Sequence, residues 1–308
     1  MSAASGTRAI IAALAANLGI AVTKFIAFLL TASSSMLAEA IHSVADSGNQ
    51  ALLLLGGKRA RREATPQHPF GFGRERYVYA FIVAIVLFSV GGLFALYEGY
   101  HKLQHRDGIT SWQWVPIVVL VIAIGLESFS FRTAIQESNK IRGKSTWVEF
   151  VRHSRVPELP VVLLEDLAAL LGLVFALFGV SLTLMTGDGL WDGIATVLIG
   201  LLLVSVAVVL AIETKSLLIG ESATMEHVEQ IEAAIVDGGS IERVIHMKTL
   251  HLGPEELLVA VKVGVPRAAT ATDIAAAIDA AEERIRQAVP IARVIYIEPD
   301  IYQGATVP

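Results

Sequence analysis

Six apolar segments, each near the roughly 20 residues that a helix needs to cross a bilayer, most constrain this chain. They are predicted over residues 9–30, 36–56, 77–100, 114–135, 159–185 and 191–216. Hydrophobic residues make up 54% of the 308 positions and charged residues only 17%, against about 25% charged in ordinary soluble domains. The sequence therefore predicts an α-helical polytopic membrane protein with six transmembrane helices over residues 1–216.

The distribution of basic residues predicts the orientation in the membrane. Lysine and arginine are concentrated in the loops that follow the second and fourth segments, whereas the turns after the first and fifth segments contain neither. Loops rich in lysine and arginine stay on the cytoplasmic side. We expect a multi-pass protein of a bacterial cytoplasmic (inner) membrane, with both termini in the cytoplasm.

The tail, residues 217–308, has the character of a soluble domain. Helical periodicity over 225–237 ends at a glycine pair, and a second amphipathic helix is predicted over 272–289, with Thr270 or Thr272 as its cap. Strands rich in valine and leucine are predicted over 244–252, 257–265 and 292–297. The order αββαβ predicts a cytoplasmic, ferredoxin-like α+β domain.

Ionisable residues inside the second apolar segment are the main functional signal. Glu39, His42, Asp46 and Asn49 are spaced three, four and three apart, which puts all four on one helix face. Such groups are costly in hydrocarbon and usually mark an ion pathway. The chain has no cysteine, so a metal would bind imidazole, carboxylate, amide or water. This face is interpreted as half of a divalent-metal site; the alternative is a buried His–Asp hydrogen bond that joins two helices.

A second acidic pair, Glu165 and Asp166, lies inside the fifth segment. Adjacent helical residues point about 100° apart, so the two are not expected to bind one ion together. Lys24 and Glu127 are interpreted as a helix–helix ion pair or as side chains that reach the interface. Glu39 is either a support for the site or the partner of Lys24.

Two further places carry weaker signals. The glycine-rich loop 68–76 lacks the phosphate-loop pattern. A functional loop and a simple membrane-entry turn are equally good interpretations of it. His246 and His251 are five apart on one predicted strand, so they should point to opposite faces. Glu298 and Asp300 are interpreted as solvated surface residues.

Three stretches resemble the cation diffusion facilitator family of metal–proton antiporters. They are residues 35–49 with their H-x-x-x-D pattern, residues 68–76, and residues 217–222, which read LLIGES. The αββαβ tail matches as well, so the resemblance covers nearly the whole chain. The stretches 38–43 (AEAIHS) and 163–166 (LLED) are most similar to the branch that contains the ninth human zinc transporter.

The resemblance implies six helices, cytoplasmic termini, a homodimer, and zinc exchanged for protons at the middle of the membrane. The family's ligand positions fall on His42, Asp46, Val162 and Asp166. Many relatives have histidine or aspartate where this chain has Val162, so the missing ligand is water, Glu165 or Asn49. The residues slightly favour an auxiliary or proton-carrying role for Glu165.

The family's accessory metal sites are reduced in this sequence. Only His68 remains of the loop site of some relatives. In the cytoplasmic site His246 remains, but Lys262 and Tyr296 stand where some members have histidine. We expect both accessory sites to be degraded or absent.

The sequence thus predicts a secondary active transporter that exports a divalent cation by alternating access, with zinc as the first choice. Manganese, cobalt, cadmium and iron are the alternatives. The metal ligands are predicted as His42, Asp46 and Asp166, with Glu165 and Asn49 as further candidates. No catalytic residue, no resident cofactor and no nucleic-acid partner is expected. An intramembrane metalloenzyme and a non-transporting metal-sensing scaffold are the competing hypotheses.

Overall fold

A computed structural model describes the backbone of residues 3–302 and the side chains from residue 17 onward. Residues 1–2 of the predicted membrane domain and residues 303–308 of the predicted tail domain lie outside the described part. So do the side chains of residues 9–16 in the first predicted span. The helices are α1 Ala3–Thr31, α2 Ser34–Ala60, α3 Glu75–Val86, α4 Phe94–Gln104, α5 Trp114–Arg142, α6 Trp147–His153, α7 Glu158–Thr186, α8 Leu190–Ile219, α9 Met225–Val236 and α10 Ala271–Ala288. The strands are β1 Arg243–Gly253, β2 Glu256–Gly264 and β3 Ala292–Asp300.

The described residues are mostly helical, with four strongly apolar helices and a small C-terminal sheet. Within the described residues, the helices long and apolar enough to cross a membrane are 75–104, α5, α7 and α8. In the first of these a π-helical segment, Leu87–Leu93, joins α3 to α4. α1 and α2 cover the other two predicted segments. α2 is less apolar than the rest because it carries the polar face described above.

The short helix α6 is not anticipated by the sequence reading. It lies in the connection between α5 and α7, and Thr146 caps it. The Thr146 hydroxyl accepts from the backbone of Glu149, whose carboxylate in turn accepts from the Thr146 backbone. This reciprocal capping box stabilises the first turn of a helix that is otherwise too short to be stable.

Glycines bring α4 and α8 into backbone contact. A Cβ on Gly99 would lie 2.8 Å from the Val197 nitrogen, and one on Gly200 would lie 2.8 Å from the Leu96 nitrogen. Gly92 faces Val204 and Gly193 faces Leu103 in the same way. Gly92, in the π-helical segment before α4, and Gly99 on α4 are seven residues apart, as are Gly193 and Gly200 on α8, so the four glycines line one seam. Small residues allow membrane helices to approach this closely.

The described chain divides into two compact units. One comprises residues 1–58 and 77–215, and the other comprises residues 59–76 and 216–308. In the second unit the loop between α2 and α3 packs on the β1–β2 turn. A Cβ on Gly73 would lie 2.7 Å from the Leu252 carbonyl oxygen, and Arg76 lies 3.7 Å from the Glu255 carboxylate. Glycine at position 73 is what lets the loop backbone come this near.

The C-terminal elements follow the predicted order αββαβ, with boundaries within a few residues of those expected. The sheet order is β1-β2-β3; β1 and β2 pair antiparallel and β2 and β3 pair parallel. Thr270 caps α10 through a capping box with Asp273. The buried side chains come from α9, α10 and the strands, and include Ile231, Val259 and Ile285.

The glycine seam generates a prediction about stability. Gly99→Ala forces a methyl group against Val197, 2.7 Å from its Cγ2 atom, and should lower the free energy of unfolding by about 1–3 kcal/mol. Gly125→Ala on α5 is the matched control, since nothing lies within 4 Å of its Cβ position. Denaturant titration in detergent measures both. Equal stability of the two variants would contradict the backbone contact.

Candidate metal site within the helices

The polar face of α2 is turned into the interior. Glu39, His42 and Asn49 are no more than 1% exposed, and the Asp46 side chain is 15% exposed. Val44, on another face of the same helix, is half exposed. The helical spacing read from the sequence therefore places the four residues together, as expected, and the fold encloses them.

A fully buried ion pair lies at one end of this face. The Lys24 ammonium on α1 is 3.0 Å from Glu39 Oε2, and neither side chain is exposed. Lys24 also donates to the Ser43 hydroxyl at 2.8 Å. Glu39 is interpreted from the sequence either as a support for the site or as the partner of Lys24, and the structure shows it as the partner of Lys24. The carboxylate lies directly against α7, since a Cβ on Gly172 would be 2.6 Å from Glu39 Oε1.

His42 and Asp46 are neighbours that leave their polar atoms unsatisfied. The His42 Nδ1 atom is 3.5 Å from Asp46 Oδ1, which is too long for a good hydrogen bond. Within the described chain, both ring nitrogens of His42, Asp46 Oδ1, Asn49 Oδ1 and Glu39 Oε1 have no hydrogen-bond partner. Each such buried group costs about 1–3 kcal/mol. A cation bound between His42 and Asp46 would satisfy an imidazole nitrogen and a carboxylate oxygen.

The acidic pair on α7 divides between two neighbouring helices. Glu165 Oε1 accepts a hydrogen bond of 2.7 Å from the Asn49 amide on α2. Asp166 Oδ2 accepts one of 2.9 Å from the Ser130 hydroxyl on α5. The divergence of the two carboxylates is the one that helical geometry predicts for adjacent residues. Glu165 is thus the α7 carboxylate that contacts the polar face of α2.

Helix α5 contributes residues that the sequence reading did not assign to the site. Ser130 holds Asp166, and Glu127 lies one turn earlier on α5 (i, i+3), near the same face. Glu127 is partly buried and lies near enough to Asp46 and Asp166 to interact with both electrostatically. The structure gives Glu127 no ion pair in the region it describes. The sequence feature that could have assigned both residues to the site is the three-residue spacing of Glu127 and Ser130 inside an apolar helix.

The candidate ligands are near one another without forming one compact cluster. Among the described residues, no three or more histidine and acidic side chains converge closely enough to hold a metal ion. His42 and Asp46 form one part of the arrangement and the α7 carboxylates form the other. Asn49, bonded to Glu165, connects the two parts. A single ion bound by both would require their side chains to close on it.

The residues at the positions of the family's two accessory metal sites make contacts with other protein side chains. His68 lies against Phe72, with ring centroids 4.7 Å apart. In the tail, Lys262 pairs across the strands with His246 and makes ion pairs of 3.0 Å and 3.1 Å with Glu298 and Asp300. The hydrogen bonds to these carboxylates raise the pKa of the Lys262 ammonium. A permanent cation at this position disfavours a metal ion beside His246.

The His251 side chain is buried and does not face the surface. It is 1% exposed, and its Nδ1 atom lies 3.2 Å from the Gly253 carbonyl oxygen. Irregularities in the β1–β2 register fall between Val244 and His246 and between His251 and Gly253. This histidine therefore has a structural role at the hairpin.

Comparison with known proteins identifies the family. Residues 10–219 match the cation efflux transmembrane domain. The chain is 33% identical over 232 residues to the proton-coupled zinc antiporter SLC30A9, mitochondrial, of Homo sapiens, which covers 75% of this chain and 41% of that protein. It is 28% identical over 249 residues to metal tolerance protein C4 of Arabidopsis thaliana, covering 80% of this chain and 54% of that protein.

A more distant likeness is to the magnetosome protein MamM of Paramagnetospirillum magneticum, 23% identical over 135 residues, or 42% of this chain and 41% of that protein. The chain spans about two fifths of the length of the human relative. It belongs to the cation efflux (cation diffusion facilitator) family, as the sequence motifs predicted. The matched domain is described as a cation efflux domain, and the human relative is named an antiporter and not an enzyme.

The different contacts of the two α7 carboxylates generate a prediction. Glu165→Gln keeps an oxygen for the Asn49 amide and removes only the charge, and Asp166→Asn does the same toward Ser130. If both carboxylates bind the ion, each variant should weaken zinc binding at least tenfold, or about 1.4 kcal/mol, by calorimetry on purified protein. Glu137→Gln, on the exposed end of α5, is the control. A twofold or smaller effect of Glu165→Gln would assign it an auxiliary role.

Proposed function

We propose that the protein is a secondary active transporter that exchanges a divalent metal cation, zinc first, for protons by alternating access. His42 and Asp46 on α2 and Asp166 on α7 bind the ion, with Glu165 and Asn49 completing the site. The observation that carries this proposal is the set of unsatisfied buried polar atoms on α2, enclosed among apolar helices. Such a face is costly unless a cation or proton occupies it.

Proton exchange follows from the chemistry of the ligands. Carboxylate oxygens and an imidazole nitrogen bind a metal only when they are deprotonated, so metal and protons compete for the same atoms. An ordinary histidine titrates near pH 6.5, within the physiological range. Protonation on the side of lower pH therefore expels the metal, and arrival of the metal releases protons. The human relative is named a proton-coupled zinc antiporter, which supports this coupling.

Zinc is the favoured ion, and the reason is the imidazole. Zinc accepts histidine nitrogen and carboxylate oxygen in tetrahedral sites. With one histidine and several oxygens, this donor set also admits harder ions such as manganese. Cobalt, cadmium and iron remain within the range of ions that such a set binds.

We propose that α1, α2, the helix 75–104, α5, α7 and α8 form six transmembrane spans, with both termini on the cytoplasmic side of a bacterial inner membrane. The support is the enrichment of basic residues after α2 and α5. Export from the cytoplasm is the direction that the antiport of incoming protons would drive. The human relative, by its name, is a mitochondrial protein.

We further propose that residues 217–308 form a ferredoxin-like cytoplasmic domain and that the protein is a homodimer. The αββαβ order and the mixed three-stranded sheet support the first point. Exposed apolar residues of the tail, among them Met225 and Tyr296, are available for contact with a second copy. The working unit is then two chains in the bilayer, with metal ions and protons as the transported species.

Flux into liposomes tests the function directly. The purified protein should accumulate zinc against its gradient when a pH gradient is imposed, and His42→Ala, Asp46→Ala and Asp166→Ala should each lower the initial rate at least tenfold at equal reconstitution. His105→Ala, outside the bundle and exposed, is the control and should transport normally. Zinc binding without flux would favour the metal-sensing scaffold. Full flux in any two of the three site variants would exclude the proposed ligands.

Restoring a histidine tests the choice of metal. Val162 is one turn before Asp166 and partly buried beside Ala134 and Leu163, so Val162→His recreates H-x-x-x-D on α7. Two imidazoles and two carboxylates suit zinc. We expect higher zinc affinity, lower uptake of manganese relative to zinc, and slower turnover; Val162→Leu is the volume control. An unchanged zinc-to-manganese ratio would show that position 162 does not face the ion.

A further inference from the structure

The turn between α1 and α2 is short and strained. Only Ala32 and Ser33 separate the two helices. Ala32 has a φ of 52°, in the left-handed region that residues other than glycine rarely occupy. Such a conformation persists when surrounding contacts hold it in place. The contacts that hold this turn come from α8.

Asp192, in the first turn of α8, binds the beginning of α2. Its side chain is fully buried. It accepts hydrogen bonds from the Ser33 hydroxyl at 2.9 Å, from the backbone N–H of Ser34 at 2.7 Å and from that of Ser35 at 3.3 Å. The Ser35 hydroxyl also donates to Asp192. A carboxylate at this position satisfies N–H groups that helix α2 leaves without internal partners and complements the positive end of its dipole.

The same cluster includes two more helices. The Asp192 backbone N–H donates to the Thr183 hydroxyl in the last turn of α7, at 3.0 Å. The Ser34 hydroxyl donates to Glu98 on α4, at 2.8 Å. One buried cluster therefore joins four helices. Helices α2 and α7 carry the candidate ligands, and helices α4 and α8 are in contact through the glycine seam.

These contacts do not form a second cation site. Both carboxylate oxygens of Asp192 are engaged by hydroxyl and N–H donors. What the cluster controls is the position of α2. Ser34 is eight residues before His42, which corresponds to about 12 Å along a helix. A displacement of the helix end at Ser34 is therefore transmitted directly to the ligands.

We propose that Asp192 is a positioning residue for transport. Its bonds to Ser33, Ser34 and Ser35 close the end of the helix bundle opposite the basic loops, and they break and re-form in each cycle as α2 moves relative to α8. The inference rests on the proposed transport function, since the movement it describes is the opening of the site to the non-cytoplasmic side. Hydroxyl and N–H donors suit this task because water can replace each of them once this end of the bundle opens.

The chain contains no cysteine, so a single introduced thiol reports one position cleanly. Met36→Cys, at a fully buried position, probes α2 two residues beyond Ser34. Leu53→Cys, also buried, probes the same helix about 25 Å away. Each is combined with Asp192→Asn, in which an amide N–H₂ must face N–H or hydroxyl donors. The labelling rate is measured with a membrane-impermeant maleimide in proteoliposomes without metal.

We expect Asp192→Asn to raise the labelling rate at position 36 at least tenfold and to change that at position 53 less than twofold. The same variant should lower zinc uptake. Ser35→Ala, which removes one donor, should give a smaller change of the same kind, while Ser205→Ala on the exposed side of α8 should give none. These results together would support the role of Asp192 in closing the bundle.

Unchanged labelling at position 36 would overturn the proposal, because the bundle would then close without these bonds. Faster labelling at both positions would also overturn it, since Asp192 would then only maintain the fold. Should Asp192→Asn fail to reconstitute, Ser35→Ala against Ser205→Ala decides by the same criteria. The labelling experiment needs neither metal nor flux. Failure of the native chain to transport zinc in liposomes would therefore reject the transport function, whereas the labelling rates test the role of Asp192 independently.

Discussion

The cost of placing polar side chains inside an apolar helix bundle governs this structure. Helix α2 can be buried only if its polar face is enclosed and at least partly satisfied by neighbours. Lys24 supplies the charge that pairs with Glu39, and Gly172 provides the space for that carboxylate. Removing one partner of such a pair leaves an uncompensated buried charge, which is strongly destabilising. The arrangement of α1, α2 and α7 follows from these contacts.

Two kinds of helix contact are present in the first unit, and they differ in how easily they rearrange. α4 and α8 meet through glycines at backbone distance, where any shift creates overlap or loses many close contacts at once. α2 meets α7 through the Asn49–Glu165 hydrogen bond and meets α8 through Asp192. When the helices separate, water can take the place of each donor and acceptor in hydrogen bonds of this kind. At these two places α2 is therefore held by bonds that can re-form with water, while the buried ion pair with Lys24 holds it to α1.

The division of the chain into units also bears on function. The loop that follows α2 belongs with the tail, because Gly73 contacts the β1–β2 turn and Arg76 pairs with Glu255. The tail has its own core of aliphatic side chains and a lysine bound by two carboxylates where some family members have a histidine. In the described part of the first unit, buried carboxylate and amide oxygens and an imidazole have no hydrogen-bond partner. The chemistry of the second unit is that of a stable, charge-paired domain.

The sequence by itself determined the long apolar helices, though not α6, together with the αββαβ order of the tail and the family. It also determined the shared face of Glu39, His42, Asp46 and Asn49. Periodicity, hydropathy and capping residues are local properties, and a helix fixes which of its residues share a side. Which neighbour each polar group meets was decided by the tertiary structure: Glu39 meets Lys24, Glu165 meets Asn49, and Asp166 meets a serine on α5. The cluster around Asp192 could not be read from the sequence, because its members are brought together from positions up to 159 residues apart. Hydrogen bonds between distant residues depend on how helices pack, and that packing is set by the whole bundle.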